Sequence, residues 1–250
     1  MDFIPFLQTT SVAPSLIAER TAQIHAAVLS QSKWLDGANF TQIHPEDLKN
    51  LFTQYDVLFF GGRINRALGS TPLRFGLSSR MTSAGGLTIT TTNRKTGQRK
   101  HAIQASTAIL FGCFQEDHRP IKACGIVCRD RLDALQRVME HEIVHLIEQL
   151  AWAASSCSQP RFQAITQRFF GHTEHKHNLI TPRERALVKF GIKPGMNVRF
   201  RIDGVERIGV VNRISKRATV LVEDARGVRY TNGKHYAKYY VPVQMLKVAE

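Results

Sequence analysis

The segment MEHEIVHLIEQL, residues 139–150, places His141 and His145 four residues apart with Glu142 directly after the first. On a helix, positions i and i+4 share one face about a turn apart, so both imidazoles can address one ion. Neutral imidazole suits Zn²⁺, and catalytic zinc sites combine three protein ligands with a water. A glutamate beside the first ligand can take a proton from water acidified by the ion and pass it to a leaving amine. The HExxH pattern is short and recurs by chance on ordinary helices, where the same three residues form a solvated polar face. Here Val144, Leu146 and Ile147 make the helix apolar, and a polar trio within it needs partners. A catalytic ion also requires at least one further ligand from elsewhere in the chain.

The elements that must position this trio can be read from periodicity. A helix is expected to start at Asp130 as N-cap, with Asp133 as a capping-box-like partner. Leu132, Leu135, Val138, Met139, Leu146 and Leu150 carry its apolar stripe to about residue 152. A second helix has Pro160 in its first turn, presents Phe162, Ile165, Phe169 and Phe170, and ends at Gly171. RERALVKFG predicts a short third helix stopped by Gly191. Upstream, residues 12–30 and 45–60 read as helices, and the paired glycines of FFGGRI break the second. LRFGLSS, GLTITTT and HAIQASTAIL read as strands, the last two joined through a basic hairpin turn containing Thr96-Gly97. After Pro194-Gly195, short alternating segments punctuated by Gly, Asp and Asn predict a small antiparallel barrel of SH3-like size. This reading gives an N-terminal helical extension (1–40), an α+β domain (41–190) and an all-β barrel (191–250).

With these elements in order, the chain resembles the SprT-like, or Spartan-like, zinc metalloprotease family. The resemblance rests on LKNLFTQYDVLFFGGRI ahead of the sheet, DRLDALQRVMEHEIVHLIEQLAW at the motif and PRFQAITQRFFGHTEHKH on the next helix, and covers roughly residues 45–178. The C-terminal segment resembles a basic barrel appended to some bacterial members. The resemblance implies a zincin-like domain binding Zn²⁺ through His141 and His145, with Glu142 as general base. It also implies a third ligand, a histidine in an HGxxF element whose aromatic matches Phe162. Four residues before Phe162 stands Ser158, a poor ligand. Three readings are open. Cys157 next to it can supply a thiolate, which binds zinc strongly. His172 in GHTEHKH, which also offers His175 and His177, can serve if the chain folds back, since an unbroken helix would carry it roughly 15 Å past Phe162. Or the site is incomplete. Resemblance to Spartan-like enzymes implies cleavage of DNA-bound or DNA-crosslinked proteins.

Composition points to the partner. Thirty-four Lys/Arg stand against 20 Asp/Glu, a net charge of +14, which favours nucleic acid or another polyanion. Residues 191–250 alone hold 12 Lys/Arg against 5 Asp/Glu, and four of the five tyrosines lie in the last 21 residues. Arg199, Arg201, Arg213, Lys216, Arg217, Lys234 and Lys238 are the expected phosphate contacts, with Tyr239 stacking on unpaired bases, without sequence-specific readout. Strand alternation equally allows some of these tyrosines to face a core. The N-terminus lacks the pattern of a secretory signal and no run of apolar residues is long enough for a membrane span, so a cytoplasmic location and reduced thiols at Cys113, Cys124, Cys128 and Cys157 are expected. The rival expectation is a non-catalytic nucleic-acid-binding protein with structural or degenerate zinc.

Overall fold

Prolines open and glycines close several of the helices in the computed structural model, which describes residues 3–115 and 117–249. The chain divides into two compact units, Met1–Leu179 and Ile180–Glu250. In the first, α1 (Phe3–Thr9), α2 (Pro14–Gln31), α3 (Pro45–Phe60) and α4 (Arg63–Leu68) precede a sheet. The sheet comprises β1 (Leu73–Ser78), β2 (Gly86–Thr92) and β3 (Arg99–Ser106), followed by the single turn α5 (Thr107–Leu110) and a hairpin of β4 (Lys122–Ala123) and β5 (Ile126–Val127). The long helix α6 (Arg131–Trp152) and α7 (Pro160–Phe170) complete the unit.

The strand order is β1–β3–β2, with β1 parallel and β2 antiparallel to β3, which leaves β2 on an edge. On β3, His101, Ile103 and Ala105 turn inward, following the alternation of a half-buried strand. The segment HAIQASTAIL is not strand throughout. The Ser106 side chain accepts the Ile109 N–H at 3.1 Å and caps α5, so the last four residues turn into helix. Helix α6 runs through the centre of the unit with 17 of its 22 residues buried. It packs on β2 and β3 along one side and on α2, α3 and α7 along the others.

The N-terminal helices are part of this core rather than an extension from it. Leu7, Ile24 and Val28 are fully buried. The Gln136 amide of α6 donates to the Thr21 carbonyl at 3.0 Å, and the Arg168 guanidinium of α7 donates to the carbonyls of Leu7 and Gln8. These polar links tie α1 and α2 directly to the two helices around the motif.

The second unit begins with α8 (Pro182–Phe190), so the division lies at Leu179/Ile180 instead of near residue 191. Ala186 of α8 is buried in the core of the strands β6 (Asn197–Ile202), β7 (Val205–Ile214), β8 (Ala218–Arg229), β9 (His235–Val241) and β10 (Lys247–Val248). Val198, Phe200, Val211, Ile214, Val220 and Val241 supply most of that core. Among the described residues the sheet is not a closed barrel. Its order, β10–β6–β7–β8–β9, leaves β9 and the two-residue β10 as separate edges. α8 and the 3-10 turn Val243–Met245 cover the apolar face in place of closing strands. Register shifts between Val211 and Arg213 and between Glu223 and Val228 bend the strands. No helix among the described residues is long and apolar enough to cross a membrane.

Candidate metal centre

Asp130 caps α6 as the sequence indicates, its carboxylate accepting the Asp133 N–H at 2.8 Å. Asp133 does not complete a capping box. Its carboxylate accepts instead from the Arg129 N–H at 3.1 Å and from Arg137 at 3.1 Å. One flank of the helix thus becomes a buried polar network. Glu140 receives the Tyr55 hydroxyl at 2.7 Å, the Arg137 guanidinium at 2.9 Å and His172 Nε2 at 2.7 Å. Burial disfavours the Arg137 charge, but Glu140, Tyr55 and Asp133 outweigh it and hold the guanidinium more firmly protonated than usual. Burial together with the Glu140 charge pushes the Tyr55 hydroxyl well above its ordinary value. His172 belongs to this network. The chain does fold back after α7, but it delivers His172 to Glu140 and not to the motif histidines.

The other flank carries the motif. His141 Nε2 and His145 Nε2 face each other at 3.1 Å. Burial above all, then His177 and His145, drives the His141 pKa far below the imidazole range, and burial lowers that of His145. Both rings are therefore neutral, the form that coordinates metal. Two neutral imidazole nitrogens this close either share one proton or turn two lone pairs on the same cation. His145 Nδ1 lies 2.7 Å from Ser155 Oγ, which donates to Glu148 at 2.7 Å, and Glu148 is held by Arg161 at 2.6 Å. Such a chain fixes the ring and its tautomer, the arrangement that commonly supports a metal-bound histidine. The Phe162 ring packs at 4.8 Å from His141 and 4.5 Å from His145 and walls the pair.

Glu142 projects to the sheet side. Its carboxylate accepts the Thr88 hydroxyl of edge strand β2 at 2.7 Å. Burial raises its pKa to about 7, with the Thr88 hydrogen bonds opposing the shift. Gly86 explains how β2 comes so close: a Cβ there would lie 2.7 Å from Glu142 Cγ and 2.8 Å from Val138 Cγ1.

Among the described residues, two groups of buried or half-buried side chains could hold a metal. One is His141, His145 and Cys157; the other is Cys124, His141 and His177; in each, the donor atoms lie within 4.8 Å of one another. Cys157, half-buried in the loop between α6 and α7, stands with the motif histidines, whereas Ser158 is exposed and bonds Ser156 at 2.9 Å. The donor set of two imidazoles and a thiol suits a thiophilic ion such as zinc. All four cysteines are free thiols. Sequence reasoning did not single out Cys124, Thr88, Ser155 or Glu148, and it weighed His177 only as one of three histidines in GHTEHKH.

In the second unit, Arg199 and Arg201 point away from the core, alternating with buried Val198 and Phe200. Arg213, Thr219 and Tyr240 form one row across three strands, and Lys238 stands opposite Leu221. Lys216 and Arg217 are exposed in the turn between β7 and β8, and Lys234 is paired with Glu223. Tyr239 is not a free stacking platform. It packs on Phe200 at 5.6 Å between centroids, with the Arg207 guanidinium over its ring at 4.9 Å. Its neighbour Tyr240 is 62% exposed, because successive strand residues face opposite ways. No family model matches the chain, and no curated protein or solved structure is significantly similar to it.

Proposed function

We propose that the chain is a zinc-dependent peptidase of SprT-like type, a zincin-like unit followed by a basic β unit that holds it on nucleic acid. The observation that carries this reading is the pair of facing imidazoles of His141 and His145, on one helix turn with the Glu142 carboxyl that Thr88 anchors. His141 and His145 would hold the ion, with Cys157 as third ligand. Zinc, when bound, acidifies water and polarises the scissile carbonyl. Glu142 would take a proton from the attacking water and return it to the departing amine.

Attachment to nucleic acid would select substrates by proximity, so the peptidase needs little sequence preference of its own. Arg199, Arg201, Arg213 and Lys238, with exposed Tyr240, offer phosphate contacts and a stacking ring. Protein bound or crosslinked to DNA is the substrate class this arrangement suits. Glu142→Gln tests the reading: cleavage of a DNA-bound protein should fall by about 10²–10⁴-fold with zinc content unchanged. Wild-type protein that binds zinc and nucleic acid but cleaves nothing would leave the non-catalytic reading in its place.

A further inference from the structure

The hairpin β4–β5 and the loop 171–178 are joined to each other on the Nδ1 side of His141. Cys124 donates its N–H to the Lys176 carbonyl at 3.0 Å, and the Thr173 and Glu174 N–H groups donate to the Cys124 carbonyl at 3.1 and 3.2 Å. The hairpin turns through Cys124 at φ 54 and Gly125 at φ 82. A Cβ at Gly125 would fall 1.9 Å from Thr173 Oγ1, so the turn is pressed against the loop. This junction sets two donors beside His141. Cys124 Sγ is fully buried and lies 3.9 Å from His141 Nδ1, and the His177 ring sits 4.3 Å from that of His141. His177 Nε2 is buried with no hydrogen-bond partner, a cost that ordinary packing would avoid. In a protein interior, such an orphaned nitrogen near a thiol and a second imidazole fits a ligand in need of an ion.

We propose that Cys124, His141 and His177 form a second seat for a soft divalent ion, distinct from the position between His141 and His145. The two seats share His141, which faces His145 with Nε2 and Cys124 with Nδ1; a neutral imidazole has one lone pair, so it serves one seat at a time. Sulfur and imidazole donors select zinc or cobalt over magnesium or calcium. An ion in this seat clamps the hairpin and the 171–178 loop to the centre of α6. The inference rests on the reading of His141 and His145 as metal ligands, but it has its own test.

Cobalt(II) titration of the full-length chain, followed by absorption, separates the two thiols, with circular dichroism verifying that each variant is folded. The near-ultraviolet sulfur-to-cobalt band should persist in Cys157→Ala and vanish in the Cys124→Ser, Cys157→Ala double variant. In the Cys157→Ala background, His177→Gln should weaken cobalt binding by more than about tenfold, since removal of a mere supporting partner already costs that much. Loss of the sulfur band in Cys157→Ala, with cobalt still bound, overturns the second seat and leaves the proposed function standing. Failure of the wild-type chain to bind cobalt or zinc at all overturns both.

Discussion

Glu142 is held by two residues that sequence spacing does not connect to it. Thr88 lies 54 positions away, and Gly86 matters through the side chain it lacks. Thr88→Val should remove one hydrogen bond at a cost of about 1 kcal/mol in stability. It should also lower peptidase turnover while zinc content stays constant, which a metal assay run beside the kinetics would check. Gly86→Ala should be more damaging, because its methyl group meets both Glu142 and Val138 below van der Waals distance. The expected result is a lowered melting temperature together with lost turnover. The motif trio was legible because i, i+4 spacing is a local property of one helix. Cys124 was not, because only the left-handed turn at Cys124-Gly125 and its junction with the loop after α7 bring its sulfur to His141.

Local chemistry made the helices equally readable. Asp130, Pro160, Gly171 and Gly191 act within one turn of where they stand, and each marks the boundary it signals. What one face of α6 would meet was beyond such signals. Asp133, Arg137 and Glu140 are charged side chains, yet all three are buried, and Glu140 draws its partners Tyr55 and His172 from distant segments. Glu140→Leu leaves the Arg137 guanidinium with part of its compensation gone, and denaturant unfolding should register a loss of about 3–5 kcal/mol. On β3, burial first and Arg99 second lower the His101 pKa. The unfolded chain therefore takes up a proton at His101 at a higher pH than the native one does. The stability tied to this residue is present above the ordinary imidazole pKa and is lost as pH falls below it. The drop in urea midpoint between about pH 7 and pH 5 should be smaller in His101→Asn than in wild type.

At the scale of the molecule, composition identified the basic C-terminal segment, but strand count alone did not settle its architecture. A five-strand pattern reads as a barrel, whereas α8 and a 3-10 turn cover the apolar face and the two sheet edges stay apart. The same register decides between adjacent tyrosines. Tyr240→Ala should weaken binding to single-stranded DNA by about 1–3 kcal/mol at unchanged melting temperature. Tyr239→Ala should instead lower the melting temperature. A salt titration of Arg199→Ala should show the slope of log affinity against log salt reduced by about one, as expected for one lost phosphate contact. The depth of α6 has a kinetic side as well. His141, Glu142 and His145 occupy its middle turns, far from either fraying end, with the first two buried and His145 half-buried. Amide deuteration at these three positions should therefore be among the slowest in the protein, with protection approaching the free energy of complete unfolding of the first unit. Stripping the ion would then leave a preformed cradle whose backbone does not melt, and reloading should proceed without refolding.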